Sequence, residues 1–303
     1  MAFPYQLVYR MLIPLHQSSQ DLNLRIMFVD FIKSIFLCKF RHYFKMKRKL
    51  GQGAFGKVYL VSRRNDSCNL ATKILTKSRV SHLTSSPTEG LIPLEIDCVN
   101  GLRHENVVSV FGYMELHFHW VIVMEYCASS VDLFDFIAVR GPLHEDLARH
   151  LFLQLHSAVS YCLSVGVDHR DIKDENILIN TLNHTIKLID FGSASHFKEQ
   201  TPYTYARGTS ICLPPEYHLS GTYYPLDATI WAYGCVLFKM IQGFHPFCDY
   251  NEIVGLRPDI HFVSLGCKDL LRMCLAKNPK RRIEFASIAA HPWCCDGEDH
   301  LDD

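Results

Sequence analysis

The sequence has no surplus of either charge. Thirty-one Lys and Arg balance thirty-one Asp and Glu in a chain of 303 residues. A uniformly basic nucleic-acid binder is therefore disfavoured. It also lacks a long uncharged apolar run. The most apolar stretch, residues 22–40, is broken by Arg25, Asp30, Lys33 and Lys39. Its uncharged pieces fall far short of the ~20 residues that cross a bilayer. It reads as an amphipathic helix packed on the body of the protein, with a peripheral membrane helix as the sharper alternative. The apolar start of the chain has no basic n-region and is interrupted by Arg10, so no secretory leader is expected. Repeats and low-complexity tracts are missing as well.

Cysteine is abundant, but its spacing is not that of a metal site. The twelve cysteines include no CxxC pair and no Cys/His knuckle, which argues against zinc. They read as reduced thiols scattered through a cytosolic core. Apolar residues at 48% and charged residues at 20% exclude a mainly disordered chain. The length suggests one or two domains able to fold without staples. Bases gather in the first 50 residues and acids in Asp296–Asp303, both read as solvated ends.

From about Tyr43 to Val123 the pattern is one of short strands. Val58–Val61 and Leu70–Leu75 flank a turn-forming Ser62–Ser67, which predicts a hairpin. Trp120–Met124 reads as another strand, and Pro93–Leu102 has helical spacing. Beyond Ser130 the periodicity is helical over Asp132–Val139, Leu143–Val165, Ala228–Gln242 and Lys268–Ala276. The expectation is an α+β protein, a small β-rich part joined near Cys127–Ser130 to a larger helical part.

Leu50-Gly-Gln-Gly-Ala-Phe-Gly-Lys-Val58 is a GxGxxGxV run. Glycines let the backbone approach phosphates closely. Alone the run is a weak signal, shared with dinucleotide sites and plain turns. A strand, not a helix, follows the third glycine, so the loop reads as a hairpin flap. Lys73 on the next strand could set a cation on nucleotide phosphates, and Glu95 could hold it there. Either residue alone would more often be a surface residue; beside the glycine loop the balance reverses.

The strongest string is His169-Arg-Asp-Ile-Lys-Asp-Glu-Asn176. Asp171 can accept a proton from an attacking hydroxyl, Lys173 can neutralise charge on a transferred phosphoryl group, and Asn176 can ligate a metal. Leu188-Ile-Asp-Phe-Gly192 follows, where Asp190 can bridge a divalent cation to phosphates, and then Pro214-Pro-Glu216.

These strings, in this order from about Leu50 to Trp293, resemble the signature set of a eukaryotic protein kinase. Val131-Asp-Leu-Phe-Asp-Phe-Ile137, Lys187-Leu-Ile-Asp-Phe-Gly-Ser193, Pro214-Pro-Glu216 and His291-Pro-Trp293 are similar to the Pim family of Ser/Thr kinases. The resemblance implies a bilobal fold over 43–295, with a small lobe at about 43–126 and a large lobe at about 130–295. Residues 1–42 would be an extension and 296–303 an acidic tail. It implies ATP and Mg²⁺ (or Mn²⁺) as cofactors. Leu50, Gln52, Ala54, Phe55, Lys57 and Val58 would bind ATP together with Gly51, Gly53 and Gly56, the glycines that would cover its phosphates. Lys73, paired with Glu95, would contact them. Val58, Ala71 and Leu178 would sandwich adenine, with Met124 as gatekeeper and Glu125 and Cys127 offering hinge backbone groups. Asp171 would be the base with Lys173 beside it, and Asn176 and Asp190 the metal ligands. Asp132, Asp135, Asp174 and Glu175 match acidic positions that would face basic residues upstream of a target Ser or Thr. Partners would be protein substrates with basic motifs, with no nucleic acid and no transmembrane span. A monomer in the cytoplasm, and also the nucleus, is expected.

The chain departs from the family in places. Pim-like chains carry acids shortly before the Gly-Thr of the activation segment, where this one has Tyr205-Ala-Arg-Gly-Thr209. Arg207 would then face Arg170 with like charge. Phosphorylation at Thr201 or Thr204 is the expected source of the missing negative charge. Thr229 replaces an Asp that usually braces the catalytic loop, and Pro214 replaces an alanine. For the first ~40 residues an added helix, a disordered arm and a poor gene model all remain open. The rival to an active Ser/Thr kinase is a pseudokinase scaffold that binds nucleotide without transfer. A small-molecule kinase is weakened by the Gly-Thr…Pro-Pro-Glu segment.

Overall fold

The computed structural model describes residues 40–53, 56–86, 90–208 and 212–295. Ala54 and Phe55 of the glycine loop, most of the N-terminal extension and the acidic tail lie outside the described residues. The small lobe contains β1 (Phe44–Gln52), β2 (Gly56–Arg63), β3 (Asn69–Thr76), β4 (Leu83–Ser86), β5 (Gly90–Pro93), helix α1 (Leu94–Val99), β6 (Val110–Glu115) and β7 (His119–Glu125). Five of these strands form one antiparallel sheet in the order β1-β2-β3-β7-β6.

The sheet buries apolar residues on both faces, by the two-residue period of a strand. Val121 and Val123 of β7 join Phe40, Phe44, Val61 and Leu70 in a small cluster. Trp120 and Ile122, the alternate residues, point into the main core with Leu75, Ile92 and Ile96. Phe40, expected to belong to the extension, is thus part of the small lobe. The hairpin β4–β5 was not legible as strand. Pro93, expected to open the helix, is the last residue of β5 and precedes α1, which ends at Val99.

The large lobe follows as β8 (Ser130–Asp132), α2 (Leu133–Arg140), α3 (Glu145–Ser164), β9 (Val167–Asp168), β10 (Ile177–Asn180), β11 (Ile186–Leu188) and β12 (Ser195–His196). Then come α4 (Pro215–Ser220), α5 (Pro225–Gln242), α6 (Tyr250–Gly255), α7 (Leu265–Cys274) and α8 (Pro292–Cys295). The four helices read from periodicity are present as α2, α3, α5 and α7. Helix α5 is buried on every side from Thr229 to Ile241, as an apolar sequence without a polar face requires. Gly243 ends it at φ 84°, donating its N–H to the Lys239 carbonyl at 2.9 Å. A side chain at Gly234 would press on Leu275 at 2.7 Å, so α5 and α7 touch there. The expected bilobal α+β architecture is the one observed. Among the described residues no helix is long and apolar enough to cross a membrane.

Two short sheets build the catalytic region. β8, β10 and β11 pair in the order β11-β10-β8. β9 pairs with β12, which places Asp168 opposite Ser195. Helix α4 is anchored by Glu216, which receives both Arg282 guanidinium nitrogens at 2.7 and 2.6 Å. Arg282 is almost completely buried and also donates to the Asp227 and Ala276 carbonyls. Glu216→Ala would leave that charge buried and unpaired, which costs about 3–5 kcal/mol. Urea unfolding should show a loss of that size.

Candidate active site

The glycine loop joins β1 to β2, with Gly51 opposite Val58 and Gln52 opposite Lys57. The Gly53 N–H donates to the Gly56 carbonyl at 3.0 Å. A side chain at Gly56 would run into the Ile74 carbonyl of β3, so close backbone approach demands glycine there. A Cβ on Gly53 would lie 3.7 Å from Asp190 Oδ2, so the loop closes over that carboxylate. Leu50, Gly51 and Val58 are half-buried, while Gln52, Gly53 and Lys57 are exposed.

Behind the loop, Lys73 Nζ donates to Glu95 Oε1 at 2.5 Å and to Asp190 Oδ1 at 2.6 Å. The lysine is buried, which opposes its charge. The two carboxylates overcome this and hold it above the ordinary lysine range. Burial also pushes Asp190 up, but Lys73 and the Gly192 N–H bring it below the usual carboxylate value. Asp190 sits at φ 60°, a left-handed conformation uncommon outside glycine. The Gly192 N–H donating to its Oδ1 at 3.2 Å supports that turn.

The catalytic loop is tied down by its own side chains. Asn176 Nδ2 donates to the Asp171 carbonyl at 2.7 Å and to Asp171 Oδ2 at 3.0 Å. Lys173 Nζ lies 3.5 Å from Asp171 Oδ2 and 3.0 Å from Glu175. The buried His169 ring contacts the Ile189 carbonyl at 2.9 Å and packs edge-on against Phe191. That ties the loop to the segment carrying Asp190. Gly208 has φ +86°, and a Cβ there would come within 2.7 Å of Asp171 Oδ1 and 2.8 Å of the Arg170 carbonyl.

Ala71 of β3 is buried and Leu178 of β10 is half-buried. Met124 pairs with Ala71 in the register of β3 and β7. The Glu125 N–H donates to the Ser109 carbonyl at 2.9 Å. Its carboxylate accepts from the Ser109 N–H at 2.6 Å and from Lys187 at 2.8 Å. Ser109 and Lys187, which brace this hinge from below, were not singled out in the sequence. Cys127 is half-buried; burial and the Glu125 charge push its thiol up to about 11.

The residues that would hold a divalent ion fit one. Asn176 turns its amide nitrogen to Asp171, and its oxygen together with Asp190 gives a hard oxygen donor set. Among the described residues no three His, Cys, Asp or Glu side chains converge on one point. Asn176 and Asp190 would be the residues that hold such an ion.

The expected substrate acids do not all face outward. Asp135 and Glu175 are exposed. Asp132 is half-buried and caps α2, accepting the Asp135 N–H at 2.7 Å. Burial, with the charges of Asp135, Asp174 and Glu175, raises its pKa. Asp174 is a correction: only 2% of it is exposed, and its Oδ2 lies 3.6 Å from His245 Nε2. The surface reading fails because the tight turn Asp174–Asn176 carries this side chain inward against the loop before α6.

Thr201 and Thr204 are exposed. Burial, with the like charge of Arg170, lowers the pKa of Arg207, in line with the expected opposition of the two. The Tyr205 ring lies 5.0 Å from the Arg170 guanidinium and 5.4 Å from that of Arg207, and His82 stacks on it. Arg207 donates to the Ser193 and Ala194 carbonyls. Burial first, then these two guanidiniums, hold His82 below its ordinary value. The sequence reading missed Asp168. It is an acid in the short β9, one position before His169, and burial pushes it up to about 6. A charged residue there, between Val167 and His169, was the available signal.

A carboxyl raised above its unfolded value binds its proton more tightly in the folded state. Asp168 therefore adds stability as pH falls from about 6 toward 4 and costs stability at neutral pH. Asp168→Asn removes this dependence. The variant's melting temperature relative to wild type should be higher at pH 7.5 than at pH 5.

Residues 44–294 match the family model of the protein kinase domain. Over 265 residues the chain is 36% identical to serine/threonine-protein kinase pim-2 of Danio rerio, covering 84% of this chain and 85% of that one. It is 34% identical to serine/threonine-protein kinase prk-2 of Caenorhabditis elegans, covering 84% of this chain and 59% of the relative. It is 35% identical to CBL-interacting protein kinase 21 of Oryza sativa subsp. japonica, where the shares are 82% and 49%. The chain belongs to the protein kinase domain family, as a Pim-like eukaryotic serine/threonine protein kinase.

Proposed function

We propose that the protein transfers the γ-phosphate of ATP, with Mg²⁺ (or Mn²⁺), to Ser or Thr in segments bearing Arg or Lys upstream of the target. The observation that carries the basic preference is that Asp135 and Glu175 present exposed carboxylates near the half-buried Asp132, which burial first and then the like charges of Asp135, Asp174 and Glu175 hold above its ordinary pKa. Such crowding is relieved when a guanidinium arrives, through charge-assisted and often bidentate bonds. Asp132, Asp135 and Glu175 are the carboxylates with access to a peptide.

The chemistry asked of the side chains is alignment and charge placement. Asp171, held by the Asn176 amide, accepts the proton of the target hydroxyl. Lys173, beside it, spreads charge from the transferred group. Lys73 is poised by Glu95 and Asp190 to meet the nucleotide phosphates. A bound divalent ion would be held by Asn176 and Asp190 and would neutralise charge on the phosphates. Transfer, more than scaffolding, is favoured by the intact Lys73–Glu95 pair and by the bonds that orient Asp171.

Three outcomes check this reading. Asp190→Asn should cut turnover on the order of 10³-fold, several kcal/mol at ~1.4 kcal/mol per decade. Asp132→Asn with Asp135→Asn should lower kcat/KM for an Arg-rich peptide by about 10–100-fold and leave a neutral peptide nearly unchanged; equal losses would sink the basic preference. Gly208→Ala forces a Cβ against Asp171 and strains a positive φ, so kcat should fall while ATP binding, followed by fluorescence titration, stays near wild type.

A further inference from the structure

We propose that Asp168 and Tyr203 form an internal clamp that holds the activation segment against the catalytic loop in the unphosphorylated protein. The inference rests on the kinase reading above and adds two positioning residues to it.

Asp168 is 3% exposed. An apolar side chain would cost less at that place in β9 than a carboxylate does. Both of its oxygens are used. Oδ2 accepts the Tyr203 hydroxyl at 2.9 Å, and Oδ1 accepts the Arg170 N–H at 3.2 Å. The second bond supports Arg170 in its left-handed conformation, φ 63°, immediately before Asp171. Ser195, opposite Asp168 in the β9–β12 pair, places its hydroxyl 3.1 Å from that of Tyr203.

Tyr203 does two jobs with one side chain. Its hydroxyl reaches inward to Asp168, and its ring carries the Arg170 guanidinium at 3.7 Å. That distance is well inside the range of a cation–π contact. Arg170 Nη2 then donates to the Tyr205 carbonyl at 3.0 Å and to the Tyr223 hydroxyl at 2.9 Å. Tyr203 and Tyr223 exchange backbone bonds at 2.8 and 3.1 Å. The segment is therefore held at its backbone, its ring and its hydroxyl. Asp168 meets Arg170 at its backbone N–H, while Nε and Nη1 of the guanidinium are buried without a hydrogen-bond partner among the described residues. Thr201 and Thr204 stay exposed and outside the clamp.

The test uses full-length protein shown by mass spectrometry to be unphosphorylated. Tyr203→Phe, Asp168→Asn and the double variant are compared in peptide turnover, ATP binding and hydrogen exchange of residues 195–207. Thr201→Ala with Thr204→Ala serves as the comparison for phosphorylation. The clamp predicts an active, protected wild type and an unchanged threonine double variant. Tyr203→Phe should lose about tenfold or more in kcat, with faster exchange of the segment and ATP binding within twofold. The two clamp substitutions together should do no more than the larger one alone. Wild-type exchange and turnover in Tyr203→Phe would overturn the clamp. So would losses that multiply in the double variant, or a wild type whose segment gains protection only on phosphorylation. If Asp168→Asn does not fold, Tyr203→Phe, which removes one oxygen, carries the test alone. A wild type that binds Mg-ATP without transfer, but loses segment protection in Tyr203→Phe, would refute the kinase reading and uphold the clamp.

Discussion

Lys73 Nζ is gripped by two carboxylates from distant parts of the chain, Glu95 of α1 and Asp190 of the segment after β11. Removing three charged groups from water is costly, and the cost is offset only while all three stay within bonding distance. That requirement fixes how far α1 stands from β3. It also fixes how the large lobe presents Asp190 to the small one. The glycine loop closing over Asp190, and His169 locking the Asp190 segment to the catalytic loop, both build on that placement.

What was legible in the sequence follows from how tightly chemistry restricts local residue choice. The run from His169 to Asn176 and the run around Asp190 are short and carry their roles within a few positions. The helices α2, α3 and α7 were readable because each buries a sustained 3.6-residue pattern, and α5 because its apolar run is long enough for a buried helix. Hairpin β4–β5 has four residues per strand and exposes Leu83 and Leu91, so no alternation stood out. Asp174 could be named but not oriented, because a turn of three residues turned it inward. Lys187, 62 residues from Glu125, gave no local sign that it supports the hinge.

The zero net charge conceals a different local solution in the activation segment. Like charges at Arg170 and Arg207 looked like a defect awaiting a phosphate. Tyr203, Tyr205 and Tyr223 meet Arg170 with a ring face, a carbonyl and a hydroxyl, while its Nε and Nη1 stay buried without a hydrogen-bond partner among the described residues.

Cys127 has a bearing on how the nucleotide mouth would answer to thiol chemistry. With its thiol pushed up to about 11, roughly one molecule in ten thousand carries the reactive thiolate at pH 7. Cys68, Cys248 and Cys295 are exposed, and a mild alkylating reagent reaches them before the hinge. An inhibitor meant to bond covalently at Cys127 must gain its selectivity from residence beside Met124 and Glu125, because the sulfur itself supplies little nucleophilicity.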